Sequence, residues 1–325
     1  MSVVLVTGAG GFVGSAIVRH LVQHGGSFPD STEVEQVVAL LRPGGDDGRL
    51  RELEPSGRWS IEHADVLDRD ALLEIFGRLH PRAVVHSALP RAAYERDDFD
   101  LVGRPLEILI ACLAQESKCR FLEVGSAWIL AAGDRLDESA PLGPVNPYGR
   151  NKVHEEMLLR RLADTHGVPW IVLRLFNLFG AYEDARRLIP TLVSNLSRGE
   201  TVELTRGDQV RDFNDVDVAA GAFASALAAP DDACGRVYHI GSGRATRVRE
   251  LALDIADMVG DPELIRFGAS ATQDEEIPIL VANPSLAANV LGWKPDVELR
   301  ARIRETVAWW LARPELQATR KEVPA

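Results

Sequence analysis

Apolar and β-branched residues recur along the chain in short unbroken runs, at 3–7, 37–42, 60–64, 83–87, 120–125 and 170–175. Runs of that length without polar alternation predict strands covered on both faces. Between them the period changes. From Phe12 to His24, Val13, Ile17, Val18, Leu21 and Val22 share one side of a helix. Residues 101–116 carry Leu106, Ile110 and Leu113 at helical spacing, and 148–163 carry Val153, Met157, Leu158 and Leu162. Strands alternating with helices predict an α/β fold, a doubly wound parallel sheet of Rossmann type with helices on both faces. After Leu175 the pattern loosens. A helix at 188–198, a hairpin-like stretch at 201–213 and a helix at 248–259 predict a smaller second lobe. Val237 to Gly241 reads as a strand returning to the large sheet, and 299–312 as a helix whose Trp309 and Trp310 pack in a core. Residues 43–57, rich in Gly, Asp, Pro and Arg, predict a poorly ordered loop.

The first strand and helix enclose candidate chemistry. Glycines stand at 8, 11 and 14, a G-x-x-G-x-x-G turn between a buried-type strand and a helix. Such a turn brings backbone close to a pyrophosphate and aims the free N–H groups of a helix at it. Downstream lie Tyr148 and Lys152, four apart and so on one helix face, with Ser126 at the end of an earlier strand. A ketone reduced by hydride needs a proton on its oxygen. Tyrosine, with a reference pKa of about 10, is a modest acid at neutral pH. A lysine one turn away lowers that pKa, and a serine hydroxyl can bond the same oxygen. The trio Ser126, Tyr148 and Lys152 is therefore the candidate catalytic set, with Lys152 also within reach of a nicotinamide ribose. His20 and His24 are four apart but have no third partner in sequence, so no metal is expected.

Composition narrows the partners. The net charge of −12 argues against a nucleic-acid footprint. No segment reaches the roughly 20 apolar residues that a bilayer span requires, so no membrane partner is expected. Cys112, Cys119 and Cys234 form an odd set without paired spacing, and no signal-like leader opens the sequence, which together suit a cytoplasmic location.

Several segments carry a family resemblance. They are the glycine turn, His63-Ala64-Asp65-Val66, Val84-Val85-His86-Ser87-Ala88, Val124-Gly125-Ser126, Pro147-Tyr148-Gly149-Arg150-Asn151-Lys152, Arg174-Leu175-Phe176-Asn177-Leu178-Phe179-Gly180, Arg211-Asp212-Phe213-Asn214-Asp215-Val216-Asp217 and Leu291-Gly292-Trp293-Lys294-Pro295. With these the chain resembles the extended short-chain dehydrogenases/reductases that epimerise, dehydrate or reduce nucleotide sugars. The resemblance implies a dinucleotide-binding domain over 1–177, with 213–241 returning to it, and a nucleotide-sugar lobe from 178–212 and 242–325. It implies cofactor contacts from Gly8, Gly11, Phe12, Val13, Gly14, Arg42, Asp65, Val66, Ala88 and Lys152. Trp128, Asn177 and Arg211 would face the substrate, Asn177 and Arg211 at its diphosphate. It also implies a homodimer in which 101–116 and 148–163 pair with their copies.

Departures from the family pattern point to a reaction. The tip of the second strand reads Leu41-Arg42, where NAD-preferring members place an acid for the ribose 2′-hydroxyl. That favours NADP(H), with NAD(H) as the alternative cofactor. Ala127 and Trp128 follow Ser126 where 4,6-dehydratases carry an Asp-Glu pair, and Leu130-Ala131 replace the usual aromatic-glycine. The leading expectation is therefore an NADPH-dependent reductase of an NDP-4-keto-6-deoxyhexose. An NAD-dependent NDP-sugar 4-epimerase and a non-catalytic cofactor-binding sensor stand as alternatives.

Overall fold

The computed structural model of the chain describes residues 1–114, 119–270, 277–295 and 298–313. The strands are β1 (Val3–Thr7), β2 (Gln36–Leu41), β3 (Trp59–His63), β4 (Ala83–His86), β5 (Arg120–Ser126), β6 (Gly133–Leu136), β7 (Trp170–Leu175), β8 (Leu178–Phe179), β9 (Val202–Leu204), β10 (Val210–Arg211), β11 (Asn214–Asp215), β12 (Arg236–Ile240), β13 (Thr246–Arg247), β14 (Ile265–Phe267) and β15 (Ile279–Ala282). The helices are α1 (Phe12–His24), α2 (Arg69–Leu79), α3 (Phe99–Leu113), α4 (Pro147–His166), α5 (Leu188–Leu196), α6 (Val216–Ala228), α7 (Val248–Val259) and α8 (Leu299–Leu311).

Seven strands form one parallel sheet in the order β12-β7-β5-β4-β1-β2-β3. Every strand expected from the apolar runs is in it. Both faces are covered: Val4 and Val6 of β1 enter the core beneath α1 and α6, whereas Val3 and Leu5 enter the core beneath α3 and α4. The chain winds outward from β1 to β3, then returns across β1 to β4. The carboxy ends of β1 and β4 thus face a crevice of the kind where ligands of doubly wound sheets bind. A smaller sheet, β13-β10-β15-β6, the pairs β11-β8 and β14-β9, and helices α5, α7 and α8 lie outside it, with Trp310 buried among those helices.

Two expectations are corrected. The stretch 201–213 is not a hairpin: β9 pairs with β14, whereas β10 pairs with β13 and β15. Local alternation suggested a turn, but both strands are recruited by distant partners. The loop over 43–57 is anchored, because Leu50 and Leu53 are buried in the main core and Arg49 donates to the Gly10 and Tyr182 carbonyls. As a helix over a sheet requires, the apolar stripe of α3 packs on the chain's own core: Leu106, Ile110 and Leu113 are at most 1% exposed. Met157 on α4 is exposed. Residues 115–116, the expected end of α3, lie outside the described residues.

One buried cation ties the sheet to a helix end. Arg120, which opens β5, donates Nη1 to the carbonyls of Ala226, Leu227 and Ala229 and Nη2 to Asp231. These are orphan acceptors at the carboxy end of α6, where a cation also suits the helix dipole. Arg120→Met should lower the unfolding free energy by about 3 kcal/mol, the scale of one or two charge-assisted bonds. Urea unfolding tests this, and an unchanged midpoint would reject the anchoring role.

Candidate active site

Ser126 ends β5 and is 3% exposed, its Oγ accepting a bond from the Trp128 amide at 3.2 Å. Tyr148 sits in the first turn of α4. That helix begins where Asn146 caps it, accepting from the Gly149 amide at 2.8 Å, and Pro147 takes the first position. Gly149 is required here: a Cβ would lie 2.5 Å from the Trp128 carbonyl oxygen. The close approach brings the Ser126–Trp128 segment against the start of α4, so the serine and the tyrosine come from neighbouring elements.

The segment after β4 covers the tyrosine. Asn151, fully buried within the Tyr-x-x-x-Lys stretch, donates to the Ala93 and Arg96 carbonyls at 2.9 and 2.8 Å and accepts from the Asp98 amide at 3.0 Å. These bonds hold Tyr94 face to face with Tyr148, ring centroids 4.6 Å apart. Burial of its hydroxyl, then the nearness of Tyr148, raises the Tyr94 pKa.

Lys152 lies one turn below, 6% exposed. Its ammonium donates to the Val124 carbonyl at 2.9 Å and to Glu123 Oε1 at 3.3 Å, and lies 2.5 Å from Glu155 Oε2. Burial alone would lower its pKa, but Glu155 and Glu123 outweigh burial and hold it above the ordinary lysine value. The ammonium thus holds two hydrogen bonds and an ion pair with Glu155. Glu123, Glu155 and Tyr94 were not among the expected site residues. A lone Glu in the apolar run Phe121-Leu122-Glu123-Val124 was the one sequence signal for the first of them.

The expected cofactor residues gather at the sheet's carboxy edge. Gly8 has φ +64°, and a Cβ there would sit 2.6 Å from the Ala88 amide nitrogen, so the glycine turn and the chain after β4 touch. Helix α1 follows with Gly11 as its cap, no side-chain capping bond and no acid in its first turn. Its amino end, which includes Phe12 and Val13, suits an anionic pyrophosphate. Arg42 is exposed just past β2. Asp65 and Val66 lie just past β3, where Asp65 accepts from the Leu67 amide and Ala64 donates to the Leu41 carbonyl.

Of the expected substrate residues, Trp128 and Arg211 meet, the guanidinium 5.7 Å from the ring centroid. Arg211 is buried and also donates to the Val210 carbonyl. Asn177 follows β7, and its buried Oδ1 has no hydrogen-bond partner. Asp212, beside Arg211, is fully buried and accepts from Ser242, Gly243 and Ala282, a structural role.

A family model described as the NAD dependent epimerase/dehydratase family matches residues 4–241. The chain belongs to that family. Among relatives of this epimerase/dehydratase chain, a dTDP-glucose 4,6-dehydratase of Salmonella typhimurium is 27% identical, with 95% of this chain and 92% of the relative covered. One from an Actinoplanes species is 29% identical over 95% and 98%. A solved dTDP-glucose 4,6-dehydratase of Streptomyces venezuelae with NAD and TYD bound has a TM-score of 0.86 at 25% identity, covering 98% and 99%. A UDP-glucose 4-epimerase of Thermotoga maritima shares the fold, with a TM-score of 0.82 at 22% identity over 95% and 99%. The family is one of NAD(P)-dependent nucleotide-sugar enzymes of the short-chain dehydrogenase type. No helix among the described residues is long and apolar enough to cross a membrane.

The loop after β8 holds one acid that the sequence did not flag. Burial pushes Glu183 up to about 8, with Arg187 opposing, and its Oε2 has no partner. An unfolded glutamate ionises near about 4.3. Between those values the unfolded chain releases a proton that the folded chain keeps, so stability is full below the unfolded value and falls as pH rises toward 8. Thermal unfolding from pH 5 to 8 should show that decline, and Glu183→Gln should flatten it. An equally steep decline in the variant would assign the effect elsewhere.

Proposed function

We propose that this chain reduces a nucleotide-activated 4-keto-6-deoxyhexose to the 4-hydroxy sugar, using NADPH. The observation that carries the reading is the Ser126, Tyr148 and Lys152 set at the sheet's carboxy edge with Ala127 and Trp128 beside it. The set suits hydride chemistry at a carbinol carbon. Neither Ala127 nor Trp128 can donate or accept the protons that elimination of water demands. A bound nicotinamide would supply the hydride. Tyr148 gives its phenolic proton to the carbonyl oxygen, Ser126 holds that oxygen by a hydrogen bond, and Lys152 supplies positive charge behind the phenol. Residues 1–177 hold the cofactor in this reading, and the remaining lobe holds the sugar nucleotide. The Asn177 amide and Arg211 lie toward its diphosphate, Arg211 with the planar fork suited to phosphate. The 4-epimerase reading keeps one support, since a solved UDP-glucose 4-epimerase of the same fold, from Thermus thermophilus, is in complex with NAD.

The test combines purified protein, NADPH and a dTDP-4-keto-6-deoxyglucose. One NADPH should be oxidised per sugar reduced. Interconversion of two 4-epimers on copurified NAD, with no net use of cofactor, would replace the reductase by the epimerase.

Tyr148→Phe should cut kcat by about 10²–10⁴-fold, the usual contribution of a general acid, and leave cofactor affinity near wild type. Retention of half the wild-type kcat would remove Tyr148 from the mechanism.

Arg42→Ala should weaken NADPH by about tenfold to a hundredfold, a charge-assisted phosphate contact of roughly 1.5–3 kcal/mol. NADH binding should change little. Equal losses by calorimetry, or a wild-type preference for NADH, would overturn the cofactor choice.

A further inference from the structure

Tyr94 stands over Tyr148 and has no part in the chemistry assigned so far. It ends a short helical turn, Arg91–Tyr94, in the segment after β4. Its ring is parallel to that of Tyr148 within 3°, with centroids 4.6 Å apart, an offset stack. Helix α4 fixes this placement. Asn151, fully buried, donates to the Ala93 and Arg96 carbonyls and accepts from the Asp98 amide. Arg150 donates to Asp97 at 2.8 Å. The residues on both sides of Tyr94 are thus tied to the helix turn that carries Tyr148.

The Tyr94 hydroxyl is left unused: it makes no hydrogen bond among the described residues. The residue is 49% exposed, so the stack leaves part of the ring open to a ligand. The hydroxyl itself lies inward. Burial, then Tyr148, raises its pKa, and the charges of Lys152 and Arg187 oppose the rise. Lys152 belongs to the candidate catalytic set, whereas Arg187 heads α5 in the smaller lobe. A hydroxyl near both faces the space between sheet edge and lobe, which the sugar occupies in the reductase reading.

The carbons beside C4 of a 4-keto-6-deoxyhexose differ. C3 bears a hydroxyl, and C5 bears the methyl group. A phenol with a free donor and a free acceptor gains a bond from the first and only loses water to the second. Closing a site over an unmet polar group costs more than a made bond returns. A phenol stacked parallel to Tyr148 is placed to reach a substituent next to the one that Tyr148 serves.

We propose that Tyr94 is a specificity-determining residue whose hydroxyl bonds the 3-hydroxyl of the sugar while Tyr148 serves the oxygen at C4. The site then selects 4-keto-6-deoxyhexoses with a free 3-hydroxyl and turns away those deoxygenated or alkylated there. This rests on the reductase reading, and the test separates the two.

Initial rates are measured with NADPH and either dTDP-4-keto-6-deoxyglucose or its 3-deoxy counterpart. Wild type should favour the 3-hydroxy sugar by about tenfold in kcat/KM, the scale of one hydrogen bond. Tyr94→Phe keeps the stack and removes only the hydroxyl, and should bring that ratio to near unity. A variant that keeps the wild-type ratio, or a wild type without preference, overturns the proposal. A role confined to bracing Tyr148 would slow both sugars alike and leave the ratio in place. The second readout needs no turnover. Calorimetry in the presence of NADP⁺ compares dTDP-6-deoxyglucose with its 3-deoxy counterpart, as a ratio of Kd values for wild type and Tyr94→Phe. If that ratio collapses in the variant but no NADPH is ever consumed, the contact at C3 stands and the reductase reading fails. If both keto sugars are reduced with equal efficiency, the reductase reading stands and the contact at C3 fails. If neither sugar nucleotide binds, both fail.

Discussion

An ammonium ion buried against an apolar sheet demands negative charge at its side, and the candidate site at this end of the sheet is organised by that demand. Lys152 lies one turn from Tyr148, down against β5 and away from solvent. The sequence answers with an acid on the strand and another on the helix. Glu123 occupies a strand position otherwise reserved for apolar residues, and Glu155 follows Lys152 by three residues. The next acid, Glu156, turns the other way and binds Arg174, which in turn contacts His239 of β12. One helix face thus fixes the tyrosine, balances the lysine and fastens β7 and β12 to the same place.

The long elements were legible because each repeats its signal several times. β1 is five apolar or β-branched residues in a row, and α1 presents one apolar side for its whole length. The short strands of the smaller lobe were not. β9 and β10 have three and two residues, and their partners, β13, β14 and β15, follow 35 to 69 residues later, so no local pattern fixes their pairing. The loop over 43–57 misled for a related reason. Its Gly, Pro and Asp content describes the turns, while two leucines and one arginine decide where it packs.

The site was legible in its motifs and opaque in their surroundings. Ser126, Tyr148 and Lys152 could be placed on strand end and helix start from spacing alone. Tyr94 could not, since its position over Tyr148 depends on three bonds from Asn151 to a segment more than fifty residues earlier. Glu155 was hidden among the charges that α4 shows at its surface, such as Arg160 and Arg161. Only the helix phase set by packing against β5 tells that this acid points inward.

Trp128 makes the chemistry of the pocket explicit. An acid at that position would titrate and exchange protons with a sugar carbon or a leaving hydroxyl. The indole does neither: it offers an electron-rich face, and the Arg211 guanidinium lies over it. An aromatic–cation contact, not an acid, therefore stands beside Ser126. The ionisable side chains that α4 brings to the candidate site are then Tyr148 and Lys152, with Glu123 and Glu155 beside the ammonium. The proposed reduction asks for one proton donor at the carbonyl oxygen, whereas elimination of water across two carbons asks for further acid–base groups, and Ala127 and Trp128 supply none.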